Sequence, residues 1–297
     1  MKMSKISATI AELCNLFGNT RQAYYQGIRF TEHQAYELEI VFQLVIKIRK
    51  KQPRIGGRKL YKLLKESFVK HKFKIGRDAF FDILRENNLL IKSRKKRRII
   101  TTMSFHWLRK YPNLTVNFTA TSSGQLWVSD ITYIETATAI GYLSLITDAY
   151  SRKIIGWYLS ETLKASGSVK ALNMALSQEE LSEKLIHHSD RGIQYCSNDY
   201  VKILRKNNIT ISMTENSAPR ENAVAERVNG ILKDEWFYDF VLNDLKEARI
   251  KLEEVVAIYN AERPHMSIDY LTPEQAHNMQ GEIKRAWKSY YKQGKSS

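Results

Sequence analysis

Three consecutive apolar runs between residues 125 and 161 constrain the fold more than any other feature of this chain. They are QLWVSDITYIE, GYLSLITDAYS and KIIGWYLSE, and they are rich in Val, Ile, Tyr and Trp. Gly141 and the segment YSRK supply turn residues between the runs. Because strand-forming runs separated by short turns pair with their chain neighbours, the pattern predicts a three-stranded meander.

Helices and short strands alternate after this meander. Helical patterns occur in SGSVKALNMALSQ, NDYVKILRKNN, NAVAERVNGILKDEW and DLKEARIKLEEVVAIYNAE, and the short strand-like runs are KLIHHSD and ITISM. Such an order predicts an α/β domain with a mixed five-stranded sheet flanked by helices. The turn-rich segment TATSSG places the start of this domain near residue 122.

The first part of the chain carries shorter helical patterns. Ile6, Ile10 and Leu13 recur at helical spacing, a GNT turn follows, and RQAYYQ opens a short second helix. A further amphipathic helix is predicted over residues 33–51, and GRKLYKLLKES and GRDAFFDILRENN form a second pair of helices. Helix-turn-helix units of this kind bind DNA, but a plain helical hairpin has the same pattern, so both interpretations stay open.

These patterns predict an all-α arm joined to the α/β core. The arm consists of two segments that resemble helix-turn-helix units, and the second is the more basic of the two. The predicted boundaries are 1–51 and 52–98 for these segments, 99–121 for a linker, 122–280 for the core and 281–297 for a basic tail.

Positive charge is concentrated in the arm. The formal net charge is +16, and residues 1–121 contain 26 Lys and Arg against 8 Asp and Glu, whereas the remainder contains 21 against 23. A basic module joined to a near-neutral one indicates a polyanion-binding arm, and nucleic acid is the expected polyanion. No apolar run approaches the roughly 18 residues of a membrane helix. The two cysteines form no paired motif, which is typical of a protein in a reducing cytosol.

Basic and aromatic residues of the arm are candidate DNA contacts. Six of the seven residues from Lys92 to Arg98 are basic, and phosphate contact would relieve their mutual repulsion, although a solvated linker also explains the run. Arg54, Arg58 and Lys59 are expected on the solvent side of the second helix pair. The full set of candidates is Arg21, Tyr24, Tyr25, Arg54, Arg58, Lys59, Arg77, Lys92, Arg94, Lys95, Lys96, Arg97 and Arg98.

Three acidic residues are placed where chemistry is expected. Asp130 interrupts the apolar run WVSDITYI, Asp190 closes LIHHSD, and Glu226 lies on a predicted helix. A charge in an apolar strand is costly unless it is paired or bound to a metal. Each position also has a simpler explanation: Asp130 could be ion-paired, Asp190 could cap a turn, and Glu226 could face solvent. Lys233 lies seven positions after Glu226, about two helical turns, and Asn222 one turn before it, so all three share one helix face.

Four stretches make the sequence resemble a known family. They are WVSDITYI, HHSDRGIQY, RENAVAERVNGILKDE and, near the end, YNAERPHMSIDYLTPEQA. With these stretches the chain resembles bacterial insertion-sequence transposases, the DDE enzymes of the retroviral-integrase superfamily. More narrowly, it is similar to the downstream-frame (OrfB-type) product of elements that encode their transposase in two overlapping frames. The resemblance is strong over about residues 122–276 and looser over the arm.

The resemblance implies a ribonuclease-H-like core and a DDE-type polynucleotidyl transferase. The first and fourth strands would then be neighbours, which brings Asp130 and Asp190 together with Glu226 across from them. These three catalytic residues would hold Mg²⁺ or Mn²⁺, with two ions in each active site and Asp130 bridging both. Lys233 would contact the DNA backbone near the cut.

Further residues at the site are predicted in supporting places. His188 and Asn222 are candidate contacts near the DNA. Zinc binding by His187 and His188 is disfavoured, because adjacent residues of a strand point to opposite faces.

The partners that the resemblance implies are nucleic acids and proteins. They are double-stranded DNA, as the terminal inverted repeats of the element and as target DNA, a homodimer or higher oligomer, and an upstream-frame helix-turn-helix protein. The expected location is the bacterial cytoplasm at the nucleoid, with no membrane association. Two alternatives to a transposase stay open, an inactive DNA-binding repressor or remnant of a mobile element, and a ribonuclease-H-like nuclease without joining activity.

Overall fold

The computed structural model describes residues 8–92, 106–116, 118–215 and 221–284. The chain forms two compact units, one of residues 1–50 and 64–90 and the other of residues 51–63 and 91–297. The five-part division of the sequence is finer than this and stays a prediction. Across the described ranges, no helix combines the length and the apolar character that crossing a membrane requires.

The first four helices are α1 (Ile10–Leu16), α2 (Arg21–Lys51), α3 (Gly57–Lys70) and α4 (Arg77–Glu86). α1 begins with a capping box, in which Thr9 and Glu12 each satisfy a backbone N–H of the other. Val45 of α2 and Phe80 and Leu84 of α4 are fully buried, so the apolar stripes of these helices supply the core of the first unit.

The predicted break between a short helix at RQAYYQ and a second helix over residues 33–51 is wrong, because α2 is continuous from Arg21 to Lys51. Gly27 interrupts the apolar periodicity, but a glycine weakens a helix by only about 1 kcal/mol relative to alanine. The Thr31 hydroxyl also donates to the Gly27 carbonyl at 3.0 Å within the helix. The order of α1, turn and α2 at the start of the arm still matches the prediction.

The second unit is built on five strands, β1 (Leu126–Glu135), β2 (Ile140–Asp148), β3 (Ile154–Ser160), β4 (Ile186–Ser189) and β5 (Thr210–Met213). Their order in the sheet is β3-β2-β1-β4-β5. The first three strands form the predicted antiparallel meander, while β4 pairs in parallel with β1 and β5 in parallel with β4. The predicted mixed five-stranded sheet and the adjacency of the first and fourth strands are therefore confirmed.

The helices that follow are α5 (Ala165–Gln178), α6 (Ile193–Cys196), α7 (Asn198–Lys206), α8 (Ala223–Leu232), α9 (Leu245–Glu262) and α10 (Pro273–His277). Side chains alternate between the two faces of the sheet. Leu145 packs in one cluster with Val228 of α8, while Ile146 packs in the other with Ala171 of α5. Gly156 allows α5 to approach β3, since a Cβ there would collide with the Ala171 carbonyl oxygen. The sheet is thus covered by helices on both faces.

Candidate active site

Asp130 lies in the middle of β1. Its Oδ1 accepts a hydrogen bond from the N–H of Ile131 at 2.8 Å, and its Oδ2 accepts one from Nδ2 of Asn229 at 2.8 Å. Asn229 belongs to α8, so the second bond joins this helix to the strand. An ionised carboxylate can accept more than two hydrogen bonds, and Asp130 therefore keeps capacity for a further ligand.

Asp190 directly follows β4, beside Asp130. In the parallel pair of β1 and β4, His188 lies opposite Val128, and continuing this register by two residues places Asp190 beside Asp130. The Asp190 Oδ1 also accepts the N–H of Gly192 at 2.9 Å, and a Cβ at Gly192 would come within 2.9 Å of that oxygen. Asp190 therefore caps the turn that follows β4, and it also brings a second carboxylate to Asp130.

Glu226 lies in the first turn of α8, which begins after Asn222. The Asn222 Nδ2 donates to the Ser129 carbonyl at 2.9 Å, so the start of α8 is held against β1 immediately before Asp130. Burial raises the pKa of Glu226, and the charge of Asp190 raises it further. The third predicted carboxylate is thus close enough to the second to be influenced by it.

Burial and neighbouring like charges both raise the pKa of Asp130 and of Glu226. Burial raises the pKa of Asp130 to about 7, with a further contribution from the charge of Asp190 and a smaller one from Glu226. The hydrogen bonds from Asn229 and Ile131 act in the opposite direction but do not outweigh burial. Perturbed carboxylates that cluster in this way are typical of functional sites.

A divalent cation fits the chemistry of this cluster. Carboxylate oxygens are the ligands that Mg²⁺ and Mn²⁺ prefer, and a cation would remove the repulsion that raises the pKa of Asp130. The Oδ1 atoms of Asn222 and Asn229 are also buried there without a hydrogen-bond partner. Among the residues that the structure describes, no three His, Cys, Asp or Glu side chains are arranged closely enough to hold one ion. The carboxylates are therefore neighbours rather than a closed set of ligands.

The two histidines of HHSD are buried and have different partners. The His187 Nε2 lies 3.0 Å from the Ser129 Oγ and 2.9 Å from the Tyr200 hydroxyl, and burial lowers the pKa of His187 to about 3. The His188 Nδ1 lies 2.8 Å from the Ser212 Oγ, and burial lowers its pKa as well. Both rings are thus held neutral in separate hydrogen-bond networks, an arrangement that gives no support to zinc binding.

The surroundings of His188 and Asn222 do not fit direct DNA contact. Their exposed fractions are 0% and 5%, and both side chains form hydrogen bonds inside the protein. A buried side chain cannot reach a phosphate without opening the fold. The two residues instead support the strands and the helix that carry the three carboxylates.

Lys233 lies on an aromatic ring. Its Nζ is 3.3 Å from the centroid of Tyr133, a residue of β1 that is 8% exposed. Lys233 is also the first residue of a π-helical turn, Lys233–Phe237, that continues α8. Such turns are rare and are often found at functional sites.

Two residues at the site are absent from the sequence-based prediction, Asn229 and Tyr133. Asn229 follows Glu226 by three positions, so helical spacing could have placed it on the same face. No comparable signal marks Tyr133, because its contact with Lys233 depends on how α8 lies along β1.

Most of the described candidate DNA contacts of the arm are exposed. Arg54 is an exception, because its side chain is 15% exposed and lies 3.4 Å from an oxygen of Asp239. Arg94, Lys95, Lys96, Arg97 and Arg98 lie outside the described residues. The exposed candidates are Arg21, Tyr24, Tyr25, Arg58, Arg77 and Lys92.

The expected solvent exposure of Lys59 is wrong. Its Nζ lies 2.5 Å from the Oε1 of Glu235, and Arg263 binds both oxygens of the same carboxylate at 2.7 and 2.8 Å. Burial alone would raise the pKa of Glu235, but the two cations hold it below its usual range. Burial and the charge of Arg263 lower the pKa of Lys59 to about 8. The three residues form a buried ion cluster in the second unit.

Comparison with known proteins supports an integrase-type core. Two family models described as integrase core domain match residues 120–219 and 207–273. The chain is 32% identical over 275 residues to the uncharacterized 31 kDa protein of insertion element IS600 from Shigella sonnei, a match that covers 90% of this chain and 99% of that protein. It is 34% identical over 167 residues to transposase InsF for insertion sequence IS3A from Escherichia coli (strain K12), covering 56% and 58% of the two chains.

Solved structures that the chain matches include the catalytic core domain of HTLV-2 integrase in complex with magnesium. That match has 18% identity and a TM-score of 0.43, and it covers 53% of this chain and 98% of that chain.

The strand order, the juxtaposed acidic residues on β1 and after β4, and the two domain matches define an integrase-type core of the polynucleotidyl transferase class. The nearly full-length match to the IS600 protein narrows that class. The chain belongs to the bacterial insertion-sequence transposases that carry an integrase core domain.

Proposed function

We propose that the protein binds the terminal inverted repeats of its insertion element, cleaves the element ends and joins them to target DNA in reactions that depend on a divalent metal. The observation that supports this most is the position of Asp130 on β1 and of Asp190 directly after β4, the neighbouring parallel strand. Burial, with a further contribution from the charge of Asp190, raises the pKa of Asp130 to about 7. A site that brings anions together in this way is suited to a cation from outside the chain.

In this proposal Asp130, Asp190 and Glu226 are the DDE residues. Asp130 would hold both of two Mg²⁺ or Mn²⁺ ions, and Asp190 and Glu226 one each. When bound, the ions supply an activated water or 3′-hydroxyl and stabilise the leaving oxygen. Asn229 orients the Asp130 carboxylate through its 2.8 Å hydrogen bond, and the ammonium of Lys233 binds a DNA phosphate.

The remaining elements of the proposal concern DNA and assembly. The exposed basic and aromatic residues of the arm bind the phosphate backbone, and the protein works as a homodimer or higher oligomer on DNA at the nucleoid. An upstream-frame helix-turn-helix protein is a further partner. The positive charge of residues 1–121, with 26 basic against 8 acidic residues, supports the proposed phosphate contacts.

Asp190→Asn tests the function directly. It removes the charge while keeping the size of the side chain, so joining of duplexes with the element's terminal repeats in Mg²⁺ should fall by at least about 1000-fold. Binding of the same duplexes should stay within about twofold. Asp199→Asn is the matched control, because Asp199 is exposed on α7 and loses the same charge.

The products distinguish the alternatives. Full joining activity in Asp190→Asn contradicts the proposed site. Nicked duplexes without joined products from the wild type indicate a nuclease, and DNA binding without any metal-dependent cleavage indicates a repressor or a remnant of an element.

A further inference from the structure

Residues 106–116, which the sequence assigns to a linker, are packed onto the core of the second unit. The Leu108 and Tyr111 side chains lie against the buried cluster between the sheet and α5. The Pro112 carbonyl accepts the N–H of Met213, the last residue of β5, at 3.2 Å. The segment is therefore a fixed part of the core surface.

Trp107 lies in this segment with its ring in the solvent. It is 88% exposed, the largest fraction for any large apolar side chain among the described residues. Because Leu108 beside it packs on the core, the fold holds the backbone in place and leaves the indole uncovered. A single exposed apolar side chain is common on protein surfaces, so its neighbours decide what it indicates.

The neighbours of Trp107 are basic. Arg109 and Lys110 are both exposed, and the Arg109 guanidinium lies 5.2 Å from the centroid of the Tyr111 ring. Arg205 of α7 donates from Nη2 to the Tyr111 hydroxyl at 3.1 Å, which brings a further cation to the segment. Surfaces that bind a nucleic-acid strand have this composition, since cations contact the phosphates and aromatic rings stack on the bases.

The same segment contacts the turn that follows Asp190. The His106 Nε2 lies 2.8 Å from the Arg191 carbonyl oxygen. Trp107 and Asp190 are the chain neighbours of these two residues, so their Cα atoms are at most about 20 Å apart. Stacked nucleotides rise about 3.4 Å each, so a strand end at the carboxylates can reach Trp107 within about six nucleotides.

An exposed indole is suited to bases that are not paired. Inside a duplex both faces of a base are covered by its neighbours, so a ring can stack only on a terminal base or on one that has left the helix. Cleavage and joining of DNA create strand ends at which such bases occur. The indole and its position near Asp190 therefore fit a strand end better than an intact duplex.

We propose that Trp107, Arg109 and Lys110 form a strand-binding surface for the unpaired end of DNA near the acidic site. The indole stacks on a base, and the two cations contact the flanking phosphates. The inference rests on the proposed function for its DNA, and it adds a binding surface that is separate from the three carboxylates.

The test measures binding of two duplexes of the element's terminal repeat without metal, by fluorescence anisotropy of labelled DNA. One duplex is fully paired, and in the other about six base pairs at the end are mismatched, so both have the same number of phosphates. Trp107→Ala should raise the Kd for the mismatched duplex by at least about fivefold and leave that for the paired duplex within about twofold. Trp107→Phe keeps an aromatic face, so both Kd values should stay within about threefold of wild type.

Lys110→Met separates the effect of charge from that of the ring. Loss of one phosphate contact should weaken the binding of both duplexes by a similar factor, and it should lower the slope of log Kd against log salt by about one. A Lys110→Met protein that loses affinity for the mismatched duplex alone would contradict the assigned phosphate contact.

Three results for Trp107→Ala overturn the inference. The first is a wild-type Kd for both duplexes, and the second is an equal loss of affinity for both. The third is a changed oligomeric state with both Kd values unchanged, which would show that the ring covers a protein surface. Because Trp107 is exposed, thermal unfolding should be the same in the variant and the wild type, and this measurement identifies any misfolding.

Joining assays separate this inference from the proposed function. If the wild type joins DNA while Trp107→Ala binds the mismatched duplex normally, the proposed function stands and the strand-binding surface is wrong. If the wild type joins no DNA while the two Kd values diverge as expected, the surface stands and the proposed function fails.

Discussion

Two glutamates on one helical segment, Glu226 and Glu235, have neighbours of opposite charge. Glu226 in α8 shares its site with Asp130 and Asp190, and like charge adds to the effect of burial in raising the pKa of Asp130 and of Glu226. Glu235, nine residues later in the π-helical turn, is enclosed by Arg263 and Lys59. Burial raises the pKa at both sites, yet only at Glu235 do neighbouring cations reverse the effect.

The difference separates a structural role from a functional one. A buried carboxylate that the chain neutralises itself holds elements together, and Glu235 joins residues 51–63 to the closing YNAERPH stretch. A set of carboxylates whose ionised forms are disfavoured by burial and by one another costs stability, and a bound cation offsets that cost. The sign of the neighbouring charges therefore indicates which of the two acidic sites takes a ligand.

The largest expected effect is that of Asp130→Asn on activity. Loss of the proposed bridging ligand should lower joining by at least about 1000-fold, whereas the metal-free protein should be as stable as the wild type or more so, because a repelled charge is removed. Joining assays and urea unfolding in chelator measure the two effects. A clear loss of stability in the metal-free variant would contradict the comparison of the two sites.

Glu235→Gln should show the opposite pattern. Removing this carboxylate leaves Arg263 and Lys59 buried without a counter-charge, so the free energy of unfolding should fall by about 3–5 kcal/mol. The control is Glu254→Gln, which breaks the exposed pair with Lys251 and should cost about 0.5 kcal/mol or less. Urea unfolding of both variants measures the difference. Equal losses in the free energy of unfolding would show that the buried ion cluster contributes no more than the exposed pair.

The pH dependence of stability sharpens the same comparison. Folding raises the pKa of Asp130 from 3.8 to about 7, so protonated Asp130 favours the folded state. This contribution is complete below about pH 4 and is lost as the pH rises through about 7, and it amounts to at most about 4 kcal/mol. Unfolding in chelator should show this decline in the wild type and not in Asp130→Asn. If the free energy of unfolding falls with pH as steeply in the variant as in the wild type, groups other than Asp130 cause the decline.

A smaller effect is expected from Asn229→Ala. The variant loses the hydrogen bond that orients Asp130 and opposes the rise of its pKa. Half-maximal joining should then require about tenfold more Mg²⁺, since residues that orient a ligand tune metal affinity. A Mg²⁺ titration of joining activity measures this shift. Asn207→Ala is a control for losing an amide, since Asn207 caps α7 away from these carboxylates.

The sheet and its acidic residues could be predicted because they leave strong local signals. The meander follows from β-forming runs and turn residues, and Asp130 is conspicuous within an apolar strand. The length of α2 was not predictable in this way, because Gly27 and the change of periodicity suggest a break that the backbone does not make. Local patterns report propensity, and they do not report whether a helix continues through one weak position.

Contacts between distant parts of the chain leave no such signal. Lys59 lies in a basic helical stretch in which a lysine is expected to face solvent. Only the fold brings it to Glu235, 176 residues away. The contact of Lys233 with Tyr133 likewise depends on the position of α8 along β1. The sequence therefore predicts which residues are charged but not which charges neutralise one another.

Binding of Mg²⁺ to the metal-free protein tests the central claim most directly. At pH 7, isothermal titration calorimetry and thermal unfolding should show that Mg²⁺ binds and stabilises the wild type, while the Asp130→Asn, Asp190→Asn double variant shows neither effect. Glu235→Gln should retain binding at a temperature where it is folded. Equal binding and equal stabilisation in the wild type and the double variant would contradict the assignment of Asp130 and Asp190 to the metal site.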